Sequence, residues 1–319
     1  MYSLEDLKET FTFLKNSFVD DMQGCYSLDS KVAGPCVGIT ILTHGNEPTG
    51  LAALKYFLDN RILPHKGRII FVLNNIQAGE NYFQAVDEKE KKKCRYVDIN
   101  FNRLPFECLE MQSDEYEIKR IKELYPIYRK FDFGLDIHST KANPKAMIVN
   151  VGDDLSYELF AGFPDEIEDV IFNITKIQRG IPASALFGGK EREIPRLVIE
   201  SGKHEDGSSF KTAIECTLEF CRNCGVLPPS AKERKKGNYK IYKVVKSVFF
   251  QDSSFETPRD FEAFERLTEE TVLGVNRDGD KIFSPVKGLT LFGSAKDYKP
   301  KTVDDEVFFI TEEPYVINI

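Results

Sequence analysis

Apolar positions along the first two thirds of this 319-residue chain follow two alternating periods. Short runs rich in Val, Ile, Leu and Phe occupy 37–43, 68–73, 133–137, 146–151, 169–174 and 196–200, and each reads as a buried strand. Between several of them the period becomes helical. Leu51, Leu54 and Leu58 mark one face of 50–59, and Ile118, Ile121, Leu124 and Ile127 recur within 114–130. The segment 207–224 is a third helix candidate. Strands alternating with helices predict an α/β fold: a mixed, mostly parallel sheet flanked by helices.

The pattern breaks over 225–237, where Pro228-Pro229 and a basic run mark a connection. Beyond it, 239–250, 288–292 and 306–310 are strand-like, and Asn276-Arg-Asp-Gly279 supplies a turn. The chain therefore divides into an α/β domain over 1–225 and a smaller β-rich domain over 226–319. The charged run 87–93 reads as a solvated loop.

Composition narrows the function classes. A net charge of −8 argues against a nucleic-acid partner, since phosphate binding rests on clustered positive charge. No apolar run approaches a membrane span of roughly 20 residues. The amino terminus lacks the charged-then-apolar layout of a secretion signal, and seven cysteines make an odd count. Both point to reduced thiols and a cytoplasmic location. Cys221-Arg-Asn-Cys224 stands without a second pair to complete a structural zinc site and reads as two ordinary thiols.

The chemistry lies where two of the four histidines fall. Ile41-Leu-Thr-His44-Gly-Asn-Glu47 joins a strand to a helix, and Phe133-Gly-Leu-Asp-Ile-His138 ends another strand in a histidine. Strand ends are where open α/β sheets assemble sites. Two imidazoles and a carboxylate are the three-ligand, open-position set of a catalytic zinc ion, so His44, Glu47 and His138 are predicted to hold one Zn2+ per chain. His65 follows Pro64 in a loop and His204 lies just past Gly202; composition alone leaves both open as ligands. A hydrolytic site also needs a general acid/base. Glu200 closes the run Ile194-Pro-Arg-Leu-Val-Ile-Glu200, where apolar neighbours would raise its pKa toward proton shuttling. Arg95, with Asn102-Arg103 seven residues on, supplies a planar fork and a further donor suited to an anionic substrate.

These residues, in this order, resemble the aspartoacylase and succinylglutamate desuccinylase family, a branch of the zinc carboxypeptidase-like superfamily. Thr43-His44-Gly45-Asn46-Glu47 is similar to its first zinc motif, Asp136-Ile-His138-Ser-Thr140 to its second, and Ile199-Glu200-Ser-Gly202 to the strand bearing the catalytic glutamate. The resemblance makes 1–225 the zinc-hydrolase catalytic domain. It implies that Arg95 polarises the scissile carbonyl and that Asn102 and Arg103 hold the substrate carboxylate. Phe309-Ile-Thr-Glu-Glu-Pro-Tyr315 resembles the segment whose tyrosine reaches the substrate. There are departures. Asn100 stands where an aspartate is usual, Phe101 where a smaller aliphatic is common, and no clear match exists to the arginine that binds a second substrate carboxylate. Arg179, Arg192 and Arg196 are the candidates.

The expected activity is zinc-dependent hydrolysis of the amide bond of a small anionic N-acyl amino acid, with Glu200 as general acid/base. Two alternatives keep the fold: a zinc carboxypeptidase acting on a peptide carboxyl terminus, and a zinc-binding protein without catalysis. A homodimer stays open.

Overall fold

The computed structural model describes residues 2–140, 145–152, 155–230, 237–249, 254–293 and 306–318. Twelve of its strands form one mixed sheet, numbered here in chain order. They are β1 (Cys25–Asp29), β2 (Cys36–Ile41), β3 (Arg68–Leu73), β4 (Phe133–Thr140), β5 (Met147–Asn150), β6 (Asp169–Phe172), β7 (Arg196–Lys203), β8 (Asn238–Phe249), β9 (Arg266–Leu267), β10 (Gly288–Leu291), β11 (Glu306–Thr311) and β12 (Tyr315–Asn318). The spatial order is β9-β10-β11-β8-β6-β5-β7-β4-β2-β3-β1, with β12 also paired to β8. The inner four, β3, β2, β4 and β7, are mutually parallel, and β1 and β5 flank them antiparallel. The mixed sheet flanked by helices expected from the sequence is thus the one observed, while the expected mostly parallel pairing holds for its inner strands and gives way to antiparallel pairing in the carboxyl-terminal strands.

Alternation along each strand sorts the core into two layers. Ile69 and Phe71 join Val37, Ile39, Ile41, Leu135 and Ile137 under helices α1 (Leu4–Lys15), α2 (Gly50–Asp59) and α5 (Gly207–Asn223). Ile70 and Val72 turn to the opposite face. There they meet Ile118, Ile121, Leu124 and Ile127 of α4 (Tyr116–Tyr128), with Phe131 and Phe187.

Two neighbouring glycines make the second layer possible. Gly38 of β2 pairs with Gly134 of β4. A Cβ on Gly38 would lie 2.1 Å from the Phe131 ring, and one on Gly134 2.3 Å from the Phe187 ring. The bare backbone is the seat of that aromatic pair, whose centroids are 5.4 Å apart. Gly38→Ala should therefore cost about 1–3 kcal/mol through overpacking. The check is the urea midpoint at unchanged slope, and an unaltered midpoint would refute the account.

Several elements differ from expectation for local reasons. The strand expected over 169–174 stops at Phe172, because Asn173 takes a left-handed backbone (φ 70°) and starts one helical turn, Ile174–Ile177. Asparagine tolerates that region better than other non-glycine residues. The run 87–93 contains one helical turn, Glu88–Lys91, capped by Asp87 and with no buried residue. Among the elements without a counterpart in the sequence reading are β1, α1, and α3 (Ile76–Gln84). The signal for α1 was present in Ser3 and Asp6, which form a capping box ahead of buried Leu7, Phe11 and Leu14.

Beyond the Pro228-Pro229 connection, β8 runs parallel to β6 in the same sheet and carries β11 and β12. The β-rich carboxyl-terminal region is thus hydrogen-bonded to the α/β sheet. Among the described residues no helix is long and apolar enough to cross a membrane.

Candidate metal centre

The carboxyl ends of β2, β4 and β7 meet on one edge, with His138 paired in register to Glu200. Immediately after β2, Leu42 adopts a left-handed backbone (φ 54°), a conformation that costs leucine about 1–3 kcal/mol and needs outside support. Asn74 and Asn75 supply it by donating N–H bonds to the carbonyls of Ile41 and Leu42 at 3.0 Å each. The turn delivers Thr43 and His44 to the edge. Gly45 follows because a Cβ there would stand 2.4 Å from the backbone of Ala78 and Cys94.

His44, Glu47 and His138 are all buried, and one ligand atom from each lies within 4.8 Å of the others. Glu47 stands between the imidazoles: Oε1 is 2.9 Å from His44 Nδ1, and Oε2 is 2.7 Å from His138 Nδ1. Arg95 Nη1 donates to Oε1 at 2.7 Å. The set predicted from sequence is therefore brought together.

The far nitrogens settle whether the set fits a cation. Asn100 Oδ1 accepts the Asn102 N–H at 2.9 Å, so that atom is an acceptor, and His44 Nε2 at 3.0 Å must donate to it. Burial, reinforced by Arg95, pushes the His44 pKa down to about 4, so its imidazole is neutral. Its single proton is on Nε2, and a bare Nδ1 lone pair faces the Glu47 carboxylate. His138 repeats the arrangement with Asp136 Oδ2 3.0 Å from its Nε2. Two acceptor nitrogens converging on an acceptor carboxylate call for positive charge between them, and the set fits a divalent cation such as zinc. Protons serve otherwise. Burial alone would lower the His138 pKa, but Asp136 and Glu47 on either side hold it well above the usual imidazole range. Burial likewise opposes ionisation of Glu47, yet His44, His138 and Arg95 keep its carboxyl well below the usual range.

Support extends inward from Asp136. Its Oδ1 accepts from Thr40 and Thr43 hydroxyls at 2.7 Å each. Asn74 donates to Thr43 Oγ1 at 2.7 Å, and Tyr128 donates to Asn74 Oδ1 at 2.6 Å. Sequence reasoning quoted Asp136 within a motif without giving it a role, although its spacing two residues before His138 on one strand face was a usable signal. Asn100, read as a departure, does the orienting that an acidic oxygen could also do.

Glu200 projects on the same face as His138. The residue is only half-buried, but its Oε2 is sealed from solvent and has no hydrogen-bond partner among the described residues. Burial pushes its pKa up to about 8, Glu47 adds to the rise, and His138 and Arg95 oppose it. A break in register beyond His138 and a left-handed Gly202 (φ 112°) turn the chain away after Glu200.

The remaining predicted residues scatter more widely. Asn102 Oδ1 is buried without a partner among the described residues, while its backbone N–H donates to Asn100 Oδ1. Arg103 Nε bonds the Glu306 carboxylate, its Nη1 donates to the Asn102 carbonyl at 2.7 Å, and its guanidinium stands 5.7 Å from the Phe309 ring centre. Arg179 shares that partner through its backbone N–H, 2.7 Å from Glu306 Oε1. Arg192 bonds Asp132, just before β4 begins, and Arg196 is the first residue of β7. Both therefore lie at the opposite strand ends from His138 and Glu200. Tyr315 is half-exposed on β12, which pairs with β8. Counting β7-β5-β6-β8-β12, that is four strand spacings from Glu200, about 19 Å, and the structure does not bring it to the cluster. His65 bonds the Val226 carbonyl away from the site. His204 is nearer: its Nδ1 is 2.7 Å from Ser139 Oγ, and the Ser139 N–H reaches Glu47 Oε2 at 3.4 Å.

A parallel-centred α/β sheet with a buried His-Glu-His set at its strand ends defines the zinc carboxypeptidase-like fold class. Within that class, residues 33–161 match the model of the Succinylglutamate desuccinylase/Aspartoacylase catalytic domain family. The N-acyl-aromatic-L-amino acid amidohydrolase (carboxylate-forming) of Mus musculus is 28% identical over 122 residues; the match spans 36% of this chain and 36% of that protein. The fold is shared more fully. Murine aminoacylase 3 superimposes with a TM-score of 0.59 at 18% identity, covering 90% of this chain and 98% of that one. Succinylglutamate desuccinylase from Vibrio cholerae gives a TM-score of 0.65 at 12% identity, covering 98% of each.

Proposed function

We propose that this protein hydrolyses the amide bond of a small N-acyl amino acid at a zinc centre held by His44, Glu47 and His138. The observation that carries the reading is the convergence of those buried donors with Glu200, whose Oε2 is buried and makes no hydrogen bond among the described residues. When bound, zinc supplies Lewis acidity toward the amide carbonyl and lowers the pKa of water toward neutrality.

The chain's own residues do the rest. Glu200 takes a proton from the attacking water as its oxygen bonds the carbonyl carbon. It returns that proton to the amide nitrogen as the C–N bond breaks, leaving a carboxylic acid and a free amine, and the acid then gives up the water's second proton to solvent as it becomes a carboxylate. Arg95, anchored on Glu47, offers its guanidinium to the oxygen on which negative charge builds. Asn102 and Arg103 fix the anionic end of the substrate so that the carbonyl meets water at reacting distance. Glu306 already neutralises Arg103, so a substrate carboxylate shares or displaces that contact. The mouse relative, by its name, acts on N-acyl aromatic amino acids, which places aromatic substrates beside acyl-aspartate and succinyl-glutamate in any test.

A panel of N-acyl amino acids scored for free amine decides the matter. Expected is hydrolysis of at least one member, abolished by a chelator and restored by zinc. Release of terminal residues from short peptides instead would favour the carboxypeptidase alternative. Stoichiometric zinc with no hydrolysis anywhere in the panel would favour the non-catalytic one.

A further inference from the structure

Residues 95–100 connect to the metal centre at both ends. At one end the Arg95 carbonyl accepts the Gly45 N–H at 2.9 Å and its guanidinium holds Glu47; at the other, Asn100 orients His44. Yet the segment lies outside any helix or strand, half-exposed at the surface. Its geometry is imposed from beneath by a single carboxylate. Glu117 is completely buried in the first turn of α4. Its Oε1 accepts the Val97 N–H at 2.7 Å and the Asn75 side-chain amide at 2.8 Å. Its Oε2 accepts the N–H groups of Asp98 and Ile99 at 3.0 and 3.1 Å.

Three successive backbone donors wrapped around one anion form a nest, a concave arrangement that only a negative group fills well. The tie is reciprocal, because Asp98 Oδ2 accepts the Tyr116 N–H at 2.7 Å and so caps the helix that carries Glu117. Asn75 extends the connection. Its backbone N–H supports the strained Leu42, and its side chain caps α3 while bonding Glu117. One buried carboxylate thereby joins the turn that delivers His44 to the loop that delivers Arg95 and Asn100.

We propose that Glu117 is a positioning residue that pre-organises the 95–100 segment, so that Arg95 meets the reacting carbonyl oxygen and His44 keeps its metal-binding tautomer. The kinetic part of this claim rests on the amidohydrolase reading above; the structural part does not. Glutamine is the graded substitution. It keeps one acceptor oxygen but turns an NH2 group toward N–H donors, whereas alanine removes every acceptor.

The full-length chain is compared with Glu117→Gln and Glu117→Ala by amide hydrogen exchange and by steady-state kinetics. In Glu117→Gln, exchange at residues 97–99 should accelerate about 10-fold, as expected from the loss of a charge-assisted bond, while β2 and β4 keep wild-type rates. On the preferred substrate kcat should fall roughly 10–100-fold, the range for partners that orient a metal site, with KM nearly unchanged. If alanine prevents folding, the glutamine variant carries the test alone. Unchanged exchange at 97–99 overturns the clamp. Faster exchange with wild-type kcat overturns the positioning role and leaves a purely structural one. Should the wild-type chain hydrolyse nothing in the panel, the activity reading fails separately, and the exchange measurement still decides whether Glu117 holds the loop.

Discussion

Glu200→Gln is expected to lower kcat by roughly 10²–10⁴-fold, the usual contribution of a positioned general acid/base, while zinc content stays at one per chain. Glutamine preserves the volume at the end of β7 and removes only the capacity to carry a proton. The direction of the pH dependence follows from the causes of the Glu200 shift. Burial pushes its pKa up to about 8 and the neighbouring Glu47 charge adds to this, while His138 and Arg95 pull it down. A dication beside Glu47 acts in the same sense as those cations and lowers the functional value further. The basic form is required, and activity should therefore decline as pH drops through that value. The acidic limb of the wild-type kcat/KM profile should be absent from whatever activity Glu117-intact Glu200→Gln retains. A variant that keeps most of its rate would remove Glu200 from the chemistry.

How far the sequence carried these conclusions differs between layers of the molecule. The inner strands were legible because β2, β3, β4 and β7 are buried on both faces for most of their length and read as largely apolar runs. The candidate metal donors were legible because strand ends are few and the histidines fewer. What the sequence hid are the groups whose roles depend on contacts between distant segments. Glu117 looks like any acidic residue in a first helical turn, and nothing local shows that three amides from residues 97–99 close on it. Asn74 and Tyr128 are equally silent, although they hold Asp136 through Thr43. The arginines illustrate the same point in reverse. Arg192 and Arg196 precede Glu200 closely in sequence, but a strand is long enough to place them at its far end. Arg179 reaches the neighbourhood of Arg103 because Leu104 and Ile181 bridge their two segments and Glu306 of β11 binds both.

His138→Ala should abolish stoichiometric zinc binding and destabilise the metal-free protein by about 3–5 kcal/mol, the cost of stranding buried charge without its partner. The reason is specific to its position. His138 lies between Glu47 and Asp136, each completely enclosed, and as an imidazolium it is a cationic neighbour of both when metal is absent. Wild-type protein should gain about 4 kcal/mol in zinc at 1,000 times its Kd, seen as a rise in Tm, and the variant should gain almost nothing. Proton linkage fixes the sign of the pH effect. The folded His138 pKa lies well above 6.5, so its contribution to metal-free stability is complete below that unfolded value and is lost as pH rises through the folded one. Glu47 behaves oppositely, since its pKa is depressed below 4.5: its contribution is present above that value and is lost as pH falls through the folded one. Zinc must displace the proton on His138 Nδ1, so apparent zinc affinity should increase with pH between 6 and 8, the range used for the titration. Calorimetric titration in buffers of different ionisation enthalpy would reveal proton release, and binding without any such release would exclude His138 as a ligand.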